Sequence, residues 1–227
     1  MKNQGVLITG ASRGLGAALA RAIARRGGRV ALVARTRAPL EELAATLRAE
    51  GMTAYAIAHD IADKDAIHRI AGEAAARVGP IDLLINNVST LGPLPMPLLL
   101  DTACEDLEEV FRTNVLGPFR LTKAIAGSML ARKTGTVVSI SSDAAVEAYE
   151  RWGAYGASKA AFDHLTRTFA AESPSVRFFS VDPGEMDTRM HADALGPPQP
   201  GLARPEDVAE RIVELLGTAR SGDRVKS

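Results

Sequence analysis

The chain has 227 residues, 46% of them hydrophobic and 4% aromatic, and its 27 basic and 27 acidic side chains balance to zero net charge. That length suits one large α/β domain with a core of Ala, Val, Leu and Ile, and the balance argues against a nucleic-acid backbone or an anionic membrane as partner. The lone cysteine, Cys104, cannot close an internal disulfide, which fits a reducing, cytoplasmic setting.

The first segment, "MKNQGVLITG", holds a five-residue apolar run. This is too short for a signal peptide and suits a strand. A helix follows, with Leu15, Ala18, Leu19, Ala22 and Ile23 at helical spacing. "RVALVA" (29–34) precedes a helix from about Pro39 to Glu50, and "TAYAIA" (53–58) one from about Asp63 to Val78. "IDLLI", "TVVSI" and "VRFFSV" are further strands, continuously apolar as strands covered on both faces should be. Two helical stretches lie between 103 and 133, with a joint expected at Gly117–Pro118. A long helix should cover about 153–172, and a last one Pro205 to Gly217. The segments 89–101 and 189–204 are proline-rich and loop-like. "SGDRVKS" suits a short strand or a frayed tail. No apolar run approaches the roughly 18 residues of a membrane span. Strand–helix alternation predicts a parallel sheet with helices on both faces.

"TGASRGLG" (9–16) joins the first strand to the first helix. Glycines there let backbone approach a pyrophosphate, and a helix N-terminus offers it free N–H groups and a positive dipole end. The second strand ends at Ala34, where a ribose-binding acid would stand, and Arg35 follows, with Arg13 on the same side. Two guanidinium groups suit a 2′-phosphate and favour NADP over NAD. Farther on, "YGASK" places Tyr155 and Lys159 four apart, on one helix face. An ammonium there should lower the phenol's pKa from about 10 and make the pair an acid/base unit.

The T-G-x-x-x-G-x-G turn and the Y-x-x-x-K pair together resemble the short-chain dehydrogenase/reductase family, from Gly5 to about Leu216. The resemblance implies one domain over 1–227, a Rossmann-type doubly wound parallel sheet in three α/β/α layers. It implies a dinucleotide held by Gly10, Ser12, Arg13, Gly14, Leu15 and Gly16, with Arg35 at the 2′-phosphate. Asp60, with Ile61 beside it, would take the adenine amino group, and Asn87 the adenine ribose. Here "NNVS" replaces the family's N-N-A-G, so Val88 and Ser89 are departures. The family's serine lies thirteen residues before the tyrosine, at Ser142, with Ser139 and Ser141 as neighbours that do not fit the offset. Ser142 would hold the substrate oxygen, Tyr155 would be the acid, and Lys159 would also bind the nicotinamide ribose. Asn114 would hold a relay water, or else be a satisfied core amide or a helix kink. Pro183, Gly184 and Thr188 would flank the nicotinamide. The segment "VDPGEMDTRM" is also similar to the sepiapterin reductase-like members.

Tyr149, Trp152, Met186 and His191 are candidates to face the substrate, with plain packing as the alternative for Trp152 and a solvated loop position for His191. The four histidines show no metal-ligand spacing, and no metal is expected. The expectation is an NADP-dependent oxidoreductase acting on a small or medium carbonyl or alcohol, without nucleic-acid or membrane partners, and by resemblance a homodimer or homotetramer. The alternative is an NADP(H)-binding sensor or scaffold without turnover.

Overall fold

The computed structural model describes residues 1–197 and 200–227. Seven parallel strands, β1 (Gly5–Thr9), β2 (Arg29–Ala34), β3 (Ala54–Ala58), β4 (Ile81–Asn86), β5 (Thr136–Ile140), β6 (Arg177–Asp182) and β7 (Arg224–Lys226), form one sheet in the order β3-β2-β1-β4-β5-β6-β7. The helices are α1 (Gly14–Arg25), α2 (Arg37–Ala49), α3 (Ile67–Val78), α4 (Cys104–Phe111), α5 (Gly117–Arg132), α6 (Gly153–Glu172), α7 (Arg189–Leu195) and α8 (Pro205–Thr218). This is the expected doubly wound, three-layer Rossmann architecture.

Side chains alternate across a strand, so β1 feeds two cores. Val6 and Ile8 pack with Leu19 and Ile23 of α1, Leu40 of α2 and Ile212 of α8. Leu7 faces the other side, with Ile70 of α3, Leu121 and Ile125 of α5, and Phe178. Every residue of β1 is buried, which explains its unbroken apolar run. The strand order reverses between β1 and β4, and a crevice opens there at the carboxyl ends. Thr9 stitches that crevice: its Oγ1 accepts from the Asn87 and Val88 N–H groups at 3.0 and 3.2 Å.

Three expectations need correction. α3 starts at Ile67, not near Asp63, because Asp60 and Asp63 instead accept from the backbone two residues on, at Ala62 N and Asp65 N. The joint in 103–133 lies just ahead of Gly117–Pro118 and is not a break: α4 runs through a π-helical turn, Arg112–Leu116, into α5, which starts at Gly117. Gly117 has another use: a Cβ there would stand 2.6 Å from the Ile61 carbonyl, so helix and loop touch through backbone. The segment 189–204 is not all loop. α7 fills its first half, capped by Thr188 Oγ1, which accepts from the His191 N–H, and it ends at Gly196, whose φ is +89°. Asp187 N–H donates to Ala203 O at 2.9 Å and closes the base of the excursion. The final segment forms β7, paired with β6.

Candidate active site

The glycine turn after β1 is built for close approach. A Cβ on Gly16 would lie 2.3 Å from the Gly10 carbonyl and 2.6 Å from Asn87 Nδ2, so only hydrogen fits. Asn87 Nδ2 donates to the Thr9 and Gly10 carbonyls at 3.0 and 3.2 Å, binding the turn to the end of β4. Arg13, the residue before α1, is extended and makes no capping hydrogen bond. The N–H groups of Gly14, Leu15 and Gly16 find no protein acceptor among the described residues. Next to them, one flank of α1 borders a cleft of about 600 Å³ lined by Gly14, Ala18, Arg21, Thr188 and Arg204. Free N–H groups, a helix dipole and arginines together fit a pyrophosphate.

Toward the outer strands, Arg35 is largely exposed, with Nη1 3.9 Å from Asp60 Oδ2. Arg37, by contrast, is engaged on its own helix, donating to Glu41 at 2.9 Å. Pro183 and Gly184 turn the chain after β6, where Gly184 N–H donates to Asp182 Oδ1 at 3.0 Å.

Beyond β5 the three serines separate clearly. Ser139 exchanges a 2.8 Å hydrogen bond with Thr166, and Ser141 Oγ donates to Asp163 Oδ2 at 2.6 Å, both deep against α6. Ser142 is the one beside Tyr155. Its Oγ donates to Asp143 Oδ1 at 3.0 Å and accepts from Ala144 N–H at 3.2 Å. Tyr149 OH donates to the other oxygen of the same carboxylate at 3.0 Å. Burial opposes the Asp143 charge, but these donors outweigh it and hold its carboxyl below the ordinary value. The same bond raises the Tyr149 phenol.

Tyr155 and Lys159 are both buried on one face of α6. Lys159 Nζ lies 5.5 Å from the Tyr155 ring centroid and donates to Ile140 O at 2.9 Å. The expected fall in the tyrosine's pKa is not found. Burial disfavours the phenolate and pushes the phenol up to about 12, and the charges of Asp143 and Asp182 add to that. The hydroxyls of Ser142 and Ser89 face the phenol and ease part of this cost, though neither closes a hydrogen bond to it. Burial also depresses Lys159, to about 8, against the pull of Asp163. Desolvation therefore dominates both groups.

Asn114 lies in the π-helical turn and is buried. Its Oδ1 accepts from Thr90 N–H at 2.8 Å, and its Nδ2 donates to Thr90 O and Ser158 Oγ, each at 2.9 Å. Ser158 Oγ in turn donates to Tyr155 O at 2.6 Å. The side chain is a satisfied amide that clamps the loop after β4 to α6; both its amide hydrogens are committed to protein.

Around the phenol, Leu91, Met96 and Ala144 form an apolar wall, with Trp152, Met190 and Ala194 packed against it. Trp152 stands edge-on to Tyr155 at 5.5 Å and to Tyr149 at 6.4 Å, so the three aromatics form one stack. Met186 instead packs on the core side, with the α1 and α8 residues. The methionine beside Tyr155 is Met190, which α7 turns inward. His191 is not a solvated loop residue: its side chain is 14% exposed, with Nδ1 buried and unpartnered among the described residues.

Several site residues escaped the sequence reading. Asp163 repeats the Lys159 face one turn on and was findable from spacing. Asp143 adjoins Ser142, but nothing local signals its two hydroxyl donors. Ser89, noted in the sequence only as a departure from glycine, buries a hydroxyl that finds no hydrogen-bond partner among the described residues. Arg224, from the last strand, donates to Ser142 O at 2.7 Å.

Known proteins share this fold and part of this sequence. A short chain dehydrogenase of Pseudocercospora fijiensis is 34% identical over 97% of this chain and 71% of its own length. The 2,3-dihydro-2,3-dihydroxybenzoate dehydrogenase of Bacillus subtilis is 32% identical over 92% of this chain and 87% of its own. An alcohol dehydrogenase from the archaeon Thermococcus sibiricus, solved in complex with 5-hydroxy-NADP, superposes with a TM-score of 0.88 at 30% identity, covering 99% of this chain and 95% of that one. The family profile described as short chain dehydrogenase spans residues 4–196. The seven-stranded parallel sheet thus has its counterpart in solved structures, and the chain belongs to the short chain dehydrogenase family of oxidoreductases.

Proposed function

We propose that the chain reduces a ketone or aldehyde with NADPH, or runs the reverse oxidation, at the cleft between the glycine turn and Tyr155. The observation that carries this is the approach of Ser142 and Lys159 to the buried Tyr155, whose ring rests on an apolar wall. The α1 N-terminus, Arg13 and Arg35 would hold the dinucleotide phosphates, with Asp60, Ile61 and Asn87 on the adenosine side and Pro183, Gly184 and Thr188 on the nicotinamide side. When bound there, the nicotinamide supplies the hydride. With its pKa near 12, Tyr155 is protonated at neutral pH and serves as the proton donor. Ser142 steadies the substrate oxygen. Lys159, charged below about pH 8, stabilises the phenolate left behind and holds the ribose.

Arg35 follows β2 with its side chain largely exposed and only a long, 3.9 Å approach to Asp60, and Ala34 offers no carboxylate to a ribose hydroxyl. This supports NADP, as does the cofactor analogue in the archaeal relative. The apolar wall of Leu91, Met96 and Met190 favours a small or medium carbonyl compound.

The test is NADPH oxidation over a panel of ketones and aldehydes. Tyr155→Phe should lose about a thousandfold in kcat while NADPH binding, read by fluorescence, is retained. Binding without turnover in both proteins would instead favour the sensor reading.

A further inference from the structure

Arg224 opens the short strand β7 beside Ser180 of β6, and its side chain is 29% exposed. Its Nε donates to Asp163 Oδ2 at 3.0 Å, and its Nη2 donates to Ser142 O at 2.7 Å and approaches Asp182 Oδ2 at 3.3 Å. Each partner lies where an element delivers a residue to the pocket. Asp163 is one turn beyond Lys159 on α6, Ser142 follows β5, and Asp182 ends β6 and holds the Gly184 N–H.

The geometry points to Arg224 as a positioning residue for Ser142: a guanidinium that ties the Ser142 peptide to α6 and β6. The inference rests on the role given to Ser142 above. Ser142 is the last extended residue before the 3-10 turn Asp143–Ala145, with φ −161° and ψ 157°. On its N-terminal side the ladder still holds, since Ser141 N–H donates to Val181 O at 2.7 Å. On its C-terminal side the carbonyl is held by Arg224. Two buried carboxylates, Asp163 and Asp182, with side chains 9% and 5% exposed, fix the guanidinium in turn. Such carboxylates require a cation. A planar fork meets three acceptors at set angles, which an ammonium on a flexible stem does not.

The experiment is a double-mutant cycle in the full chain, using NADPH and the carbonyl compound that the wild type turns over fastest. Arg224→Lys, which keeps the charge but not the fork, should lose about 10- to 100-fold in kcat, with the Kd for NADPH unchanged within about threefold. In a Ser142→Ala background the same change should cost less than about twofold. Equal losses in both backgrounds, or a loss confined to NADPH affinity, would overturn the inference. Arg224→Met is the harsher variant; if it does not fold, Arg224→Lys carries every arm. A crystal structure of Arg224→Lys gives the second readout: the Ser142 peptide should be displaced, and an unmoved Ser142 refutes the role. If no carbonyl compound is turned over, the proposed function fails, and the position of Ser142 still decides this inference.

Discussion

Around Gly10–Gly16 the cleft is made largely of backbone: a glycine-rich turn, free N–H groups, and a helix end. Around Tyr155 it is made of side chains brought from the segments after β4 and β5, from α6 and α7, and from β7, many of them charged or hydroxylic and few exposed. The first region is local in sequence and leaves no room for a Cβ at Gly10 or Gly16. The second is assembled over long separations and carries the cost of buried ionisable groups. A dinucleotide needs a fixed cradle that is the same for any substrate; the chemistry needs groups whose protonation is poised.

The sharpest break between the two is expected from Lys159→Met. Activity should fall by about a thousandfold, while stability near neutral pH rises by up to about 3 kcal/mol, because a buried lysine depressed from 10.5 to about 8 opposes folding while charged. The sign follows from proton counts. Between pH 8 and 10.5 the folded chain binds fewer protons than the unfolded one, so wild-type stability climbs with pH and the variant's advantage shrinks. A thermal melt series from pH 7 to 9.5 checks it; parallel curves would contradict the burial of an ionisable Lys159. Gly16→Ala tests the backbone region. A methyl group 2.3 Å from the Gly10 carbonyl should cost about 1–3 kcal/mol and weaken NADPH binding, measurable by Tm and by titration. Arg35→Ala should weaken NADPH by about tenfold and NADH hardly at all; equal losses would remove Arg35 from the 2′-phosphate. Tyr149→Phe, which deletes an exposed bond to Asp143, should change kcat by about threefold or less.

Legibility followed the same division. The glycine turn, the strand–helix alternation and the i, i+4 Tyr–Lys pair were readable because each is a local pattern. Ser142 came from an offset along one chain segment. Arg224, by contrast, meets Ser142 across 82 positions, and only strand order brings them together. Met186 bridges Ala203 and packs on the core side, while Met190 reaches Tyr155 from α7, a helix in a segment whose prolines predict loop. The direction of the Tyr155 shift was missed for an energetic reason. Spacing shows that an ammonium is near, but not that both groups are buried, and desolvation outweighed the attraction.

The π-helical turn Arg112–Leu116 holds one residue more than a regular helix would. Deleting a residue there would let α4 and α5 fuse into a straight, better-bonded rod. It would also swing the downstream face by about 100° relative to the upstream one. Asn114 would then leave either Thr90 or Ser158. The turn acts as a vernier, setting the phase between two rigid rods, and a smoother helix would make a poorer oxidoreductase.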